Sequence, residues 1–226
     1  MRKNALLFLF LSLVITSKGQ LSLVEIPDSL LQTENPVIRR YATDIKVINK
    51  NRIDIAENVV VTLIDKAELE HFTVCFIQNN NKVNKYFIKK AYDMEGKKLK
   101  NVNVLALQNG GCTKLQLEGK NGEVPFPISV ELEYKTSIGS IDELNTWLPV
   151  PDYGISVQNA SIRISTLDST VIAKGFIVLQ PSCKTIDEDG FIVTLWELNG
   201  FVAEKRGSSN ELPQNIFPWL KITRRE

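Results

Sequence analysis

Histidine is almost absent from this chain: His71 is the only one among 226 residues, so any nucleophile that needs an imidazole base has a single residue to draw on. Cysteine is scarce too. Cys75, Cys112 and Cys183 form an odd set with no C-x-x-C spacing, which excludes a zinc ribbon and a disulfide framework; at most one pair can close. Buried small apolar side chains are the plainer role for them. The H-E-x-x-H pattern and glycine-rich phosphate loops are missing, so no metal or cofactor is expected. Neither sign of charge dominates, with 27 Lys and Arg against 26 Asp and Glu, and nothing in that balance points to nucleic acid.

Long apolar runs are also lacking, except at the start. Arg2 and Lys3 precede the run from Ala5 to Thr16, and Ser17-Lys18-Gly19 follows with small residues at the spacing that signal peptidase uses. The run is 12 residues long, short of the ~20 that a membrane-spanning helix needs. A secretory signal over residues 1–19, cleaved near Gly19, is therefore expected, and with it a periplasmic or secreted location. No transmembrane segment is expected in the mature chain. Removal of Arg2, Lys3 and Lys18 shifts the formal charge from +1 to −2.

What remains is rich in period-two alternation. In Ile128-Ser-Val-Glu-Leu-Glu-Tyr-Lys135, apolar and polar residues take turns, as on a strand with one buried face. Val37 to Asn49 and Arg52 to Ile64 alternate likewise around the turn residues Asn49-Lys-Asn51, predicting a long hairpin. Val59 to Ile64 is apolar on both faces, so a second layer is expected over it. Further strands are predicted at His71–Ile77, Tyr86–Tyr92, Lys97–Val104, Thr113–Leu117, Ser156–Thr166, Val171–Leu179 and Phe191–Trp196. Asp93-Met-Glu-Gly96 is the expected turn of a second hairpin, and two prolines make a rigid corner of Trp147-Leu-Pro-Val-Pro-Asp-Tyr153. Strands every dozen residues predict an all-β fold, an antiparallel β-sandwich with at most one or two short helices. The expected organisation is a signal peptide (1–19), an N-terminal extension (20–35), the sandwich (36–203), and a linker with a terminal strand (204–226).

Few residues are candidates for chemistry. A hydrolytic couple of Cys75 and His71 is the one nucleophile–base pair available, but on a single strand the two stand ~13 Å apart, beyond hydrogen-bond reach. Alternation assigns Glu131 and Glu133 to a solvated face. Lys82, Lys85, Lys89, Lys90, Lys97, Lys98 and Lys100 cluster around the predicted second hairpin. They form a candidate interaction surface, although lysines also guard strand edges against aggregation. Trp147, Tyr153, Trp196 and Trp219 are candidates for a glycan-stacking platform, or for core.

Several segments in order resemble one family. They are Ile26-Pro-Asp-Ser-Leu-Leu31, Val37-Ile-Arg39, the Val59–Ile64 strand, Tyr92-Asp-Met-Glu-Gly-Lys97, Val130-Glu-Leu-Glu-Tyr134, Trp147 to Tyr153 with Ser156-Val157, and Trp196-Glu197. Together they resemble the domain of unknown function 3857, the N-terminal β-sandwich of exported Bacteroidetes-type proteins, in which a transglutaminase-like, cysteine-protease-related domain usually follows. The resemblance implies that catalysis belongs to that following domain, and no catalytic residue carries over to this chain. The expectation is an exported non-catalytic module, not an enzyme, that binds a protein or cell-envelope partner, including a transglutaminase-like domain supplied in trans. Lys85, Lys89, Lys90, Lys97, Lys98, Trp147 and Tyr153 are its expected interaction surface. A glycan-binding module and a Cys75–His71 hydrolase are the alternatives.

Overall fold

The computed structural model describes residues 21–31, 36–74, 76–77, 86–109, 112–167, 171–174, 182–188, 190–203 and 217–224. The expected signal peptide, Cys75, Lys82, Lys85 and most of the expected 204–226 segment lie outside them. The elements in chain order are α1 (Asp28–Leu31), β1 (Val37–Asn49), β2 (Arg52–Leu63), α2 (Lys66–His71), β3 (Thr73–Val74), β4 (Tyr86–Tyr92), β5 (Val102–Asn109) and β6 (Cys112–Gly119). They continue with β7 (Ile128–Ile138), β8 (Ser156–Thr166), β9 (Val171–Lys174), β10 (Ser182–Glu188), β11 (Phe191–Phe201) and β12 (Lys221–Arg224).

The fold is all-β. Seven strands form one sheet in the order β10-β11-β8-β1-β2-β7-β4, and a three-stranded sheet, β3-β6-β5, and a two-stranded one, β12-β9, complete the set. The β1–β2 hairpin forms as the sequence predicts, and Asn49 Oδ1 caps its turn by accepting from the Asn51 amide at 2.9 Å. Most pairings are antiparallel, but β1 and β8 run parallel, Val37 beside Ser156 through Val47 beside Thr166. A parallel pair needs a long crossover, and here the chain builds β2 to β7 between the two partners.

Alternation sorts the large sheet into two faces. Ile45, Ile55, Val59, Val61, Val130 and Leu132 enter one apolar core with Val74, Val104, Leu115 and Leu117 of the small sheet. This is the inner face, and burying such side chains is the main force that holds two sheets together. The outer face carries a separate cluster, in which Ile26 and Leu30 of the N-terminal segment cover Val37.

Two local predictions differ from the structure. Residues 86–104 do not make a single hairpin. The turn is present, with Gly96 at φ 80° and the Asp93 amide donating to the Lys97 carbonyl, but β4 joins the large sheet and β5 the small one. The Tyr92–Lys98 bridge and the Leu99 amide on the Ala91 carbonyl link the two arms beyond the turn itself. The physical reason is what each arm can bury: Ala91 packs under β7, whereas Val102 and Val104 fill the opposite layer. The second difference lies at 71–77, where α2 takes His71 and only Thr73–Val74 is strand. Ile77 leaves the ladder because its amide donates to a carboxylate instead.

Val60 shows how the outer face is sealed. It lies between Arg40 of β1 and Glu131 of β7 in the pairing register and is fully buried. Arg40 reaches Glu131 at 3.4 Å, and both bond Asn58, so the polar side chains close over the valine. The second apolar face of β2 is thus covered at this point by a lattice of charged side chains. Val60→Asp places a carboxylate under that lattice and is expected to lower the stability by ~3 kcal/mol or more in urea denaturation. A loss below ~0.5 kcal/mol is the behaviour of an exposed position and would contradict the cover.

Candidate functional site

The expected interaction surface does not stay together on one face. Lys89 pairs opposite Leu132 in the inner-face row and is exposed, while Lys90 is opposite Glu131 in the outer row and bonds it at 3.3 Å. Lys97 and Lys98 are exposed at the turn that follows. Trp147 is no surface residue. It is 1% exposed, its ring lies 6.1 Å from that of Tyr41, and its backbone exchanges hydrogen bonds with Leu220. Tyr153 is half-buried with its ring edge-on to Phe217 at 5.0 Å, and Trp196 is packed against the same core. Apolar contacts inside the corner hold these aromatics, which removes Trp147 from both the interaction surface and the glycan platform.

Glu131 is not the solvated residue that alternation predicts. Its carboxylate accepts from Tyr92 Oη at 2.8 Å, Asn58 Nδ2 at 3.2 Å, Lys90 Nζ at 3.3 Å and Arg40 at 3.4 Å. Partial burial opposes its ionisation, but the bonds from Tyr92 and Asn58 and the charge of Lys90 outweigh that and hold it below the usual carboxylate range. Glu133 has a simpler place, beside Lys135 at 2.6 Å.

The residue that the patterning passed over is Glu57. It occupies the inward row of β2 with Ile53, Ile55, Val59 and Val61, and is 1% exposed. An acid interrupting an inward apolar row is the signal that identifies it. Its carboxyl accepts from Tyr41 Oη at 3.1 Å, Thr43 Oγ1 at 3.2 Å and the Ile77 amide at 3.0 Å. The Ile77 carbonyl in turn accepts from the Asn145 amide at 2.6 Å. One buried side chain therefore joins the large sheet to the chain after β3 and, through it, to the loop after β7. Burial drives the Glu57 pKa up to about 7, against the lowering effect of the Ile77, Tyr41 and Thr43 bonds. A carboxyl at that value suits general acid–base work, yet it is sealed in the core and aimed at backbone.

The remaining candidate ingredients of a reaction centre are the cysteines and His71. Cys112 is disulfide-bonded, which takes up two of the three cysteines, so its role goes beyond packing. His71 ends α2, and the Cys75 of the candidate couple lies outside the described residues. Among the described residues no three His, Cys, Asp or Glu side chains form a cluster able to hold a metal ion. No helix among them is long and apolar enough to cross a membrane.

No family model matches the chain, and no curated protein matches it. Among solved structures, a candidate protease from Parabacteroides distasonis is similar over 83% of this chain at a TM-score of 0.59 and 10% identity. This chain spans 40% of that protein's length, and at such identity the likeness shows the fold alone. A variant M1 zinc metallopeptidase from Deinococcus radiodurans, bound to a tripeptide substrate, aligns over 72% of this chain and 39% of its own, at 8% identity. Its TM-score of 0.33 is too low to support an argument.

The buried carboxyl of Glu57 predicts an inverted pH dependence. Its folded pKa lies above the unfolded value of 4.5, so its share of stability is complete below about 4.5 and lost as the pH rises through about 7. The loss amounts to ~3 kcal/mol. Three of its four hydrogen bonds fall on Oε1, so Glu57→Gln keeps the accepting oxygen and removes the charge. Urea midpoints between pH 5 and pH 8 are expected to fall less in Glu57→Gln than in the parent. Equal slopes in the two proteins would sink this account.

Proposed function

We propose that the chain is an exported, non-catalytic β-sandwich module that binds a protein or cell-envelope partner, including a transglutaminase-like catalytic domain supplied in trans. The observation that carries this reading is where the polar groups are spent. Glu57 ties layers together inside the core, and Glu131 seals Val60 on the outer face. Among the described residues neither leaves an acid–base pair open to a substrate, and what faces solvent at the β4 end is the lysine-bearing turn. The ordered motifs that resemble the domain of unknown function 3857 support the same reading. So does the likeness to a candidate protease of which this chain spans 40%, since a sandwich occupying part of a longer protein fits a module that serves another domain.

The module has no turnover of its own in this reading. The chain lacking residues 1–19 is expected to show no amide hydrolysis or transamidation above a buffer control, and to retain one defined component of an envelope extract. Lys97→Glu with Lys98→Glu is expected to weaken that retention about tenfold, as loss of complementary charge does. Amide hydrolysis that disappears in Cys75→Ala and in His71→Ala would make the chain a cysteine hydrolase and overturn the proposal.

A further inference from the structure

Cys112 is disulfide-bonded, and Cys75 and Cys183 are the two residues that could be its partner within the chain. The register of the small sheet separates them. β3 and β6 run antiparallel with Thr73 opposite Lys114 and Val74 opposite Thr113, and the next step of the same ladder sets position 75 against Cys112. Residues directly opposite on adjacent strands have Cα atoms roughly 4.5–5.5 Å apart and side chains on one face, inside the range of about 4.4–6.8 Å that a disulfide spans. Alternation agrees with the ladder. Thr113, Leu115 and Leu117 are the buried row of β6, and Cys112 is half-buried in the other row. Val74 and Phe76, on either side of Cys75, are buried in the core, which turns the position between them to the same side as Cys112. Cys183 is placed elsewhere. It lies on β10, opposite Trp196, at the edge of the seven-stranded sheet. The chain that follows β3 docks instead on β2 and β7, through the Ile77 amide on Glu57 and Phe76 on Tyr134. Between β10 and β2 stand β11, β8 and β1, a separation of ~19 Å at the usual strand spacing.

We propose that Cys112 pairs with Cys75, and that this bond keeps β3 in the small sheet. β3 brings two residues to the ladder, and so short a pairing offsets little of the ordering entropy of the chain that carries it. The disulfide closes the loop from 75 to 112, which holds β4 and β5, and so restricts that chain when it is unfolded. It stands two residues before Ile77, whose amide donates to the buried carboxyl of Glu57. The covalent bond to β6 and the polar tie to β2 thus clamp the same short piece of chain between the layers. When the bond forms, the two thiols lose two protons and two electrons to an oxidant that itself carries a disulfide, which leaves as a dithiol. Cys183 keeps its thiol. The sulfur of Cys75 is withdrawn from the hydrolytic couple with His71, and the assignment is independent of what the module binds.

The test takes the folded chain lacking residues 1–19, oxidised with glutathione disulfide, unfolds it in the presence of an alkylating agent and digests it with trypsin without reduction. The three cysteines fall in separate peptides, 67–82, 101–114 and 175–184. Mass spectrometry is expected to find the first two joined, the third alkylated, and the joined pair released by reduction. Cys183→Ser is expected to leave the joined pair in place. A 101–114 peptide joined to 175–184 overturns the proposal, and so do three alkylated thiols. Cys75→Ser and Cys112→Ser are each expected to lower Tm by about 5–15 °C, and the double change by no more than either alone; losses that add would contradict the pairing. Reduction is expected to speed hydrogen exchange at the Ile77 amide at least about tenfold, and unchanged exchange there overturns the clamp.

Discussion

The structure depends on β2 being buried on both sides, by opposite means. Its inner face meets the small sheet, and there an acid, Glu57, stands where an aliphatic side chain is expected. A buried carboxyl costs stability unless its oxygens are bonded. Tyr41 and Thr43 of the neighbouring strand and the Ile77 amide of the opposite layer supply those bonds. Apolar packing between two sheets is non-directional and leaves them free to slide. A carboxyl bonded from both sides fixes their registry, so the chain after β3 abandons the ladder and turns toward β2. Phe76 then stacks on Tyr134 at 5.3 Å, and Tyr134 is the β7 partner of Glu57 itself. The aromatic contact and the polar tie thus act at the same point of the sandwich.

The outer face inverts this logic. Val60 is apolar, and what covers it is charge: Arg40 and Glu131 join across it, with Asn58, Lys90 and Tyr92 completing the net. Isolated surface ion pairs contribute little. Here several donors converge on one carboxylate, and the net spans four strands, β1, β2, β7 and β4, so it couples their side chains as well as their ladders. Beside this net on the same face Ile26 and Leu30 seal Val37, and Arg39 reaches Glu25 at 3.3 Å while its Nε and Nη1 stay buried without partners among the described residues. The N-terminal segment is therefore held by apolar contact more than by its ion pair.

Much of the fold was legible because alternation is a local signal. Ile128 to Tyr134 placed their apolar members inward as their spacing demands, and Asn49-Lys-Asn51 set a hairpin that needs no information from elsewhere. The misses share a non-local cause. Nothing within Tyr86 to Val104 says that its two arms belong to different sheets; that follows from Val102 and Val104 filling a layer built by β6. Alternation put Glu131 in solvent because it counts one strand at a time, whereas its four donors come from β1, β2 and β4. The same limit misplaced Trp147, whose partner Leu220 lies far along the chain. Glu57 was legible in principle, as the one acid in an inward row, and was passed over because the row's aliphatic residues carried the strand assignment without it.

The chemistry of these polar groups bears on what such a sandwich is for. A reaction centre needs a titratable group near neutrality that a substrate can reach. Glu57 has the first property and lacks the second, because the bonds that make it a tie also shut it away. Glu131 is more accessible but is held in its ionised form by its donors, which leaves it a poor proton carrier. Exposed groups among the described residues include Lys97 and Lys98 at the edge of the sheet, where the N-terminal segment joins the turn after β4, with Val24 and Met94 exposed beside that junction. The scaffold thus spends two of its carboxylates, Glu57 and Glu131, on holding strands and layers in register, and neither is left as a proton carrier that a substrate could reach.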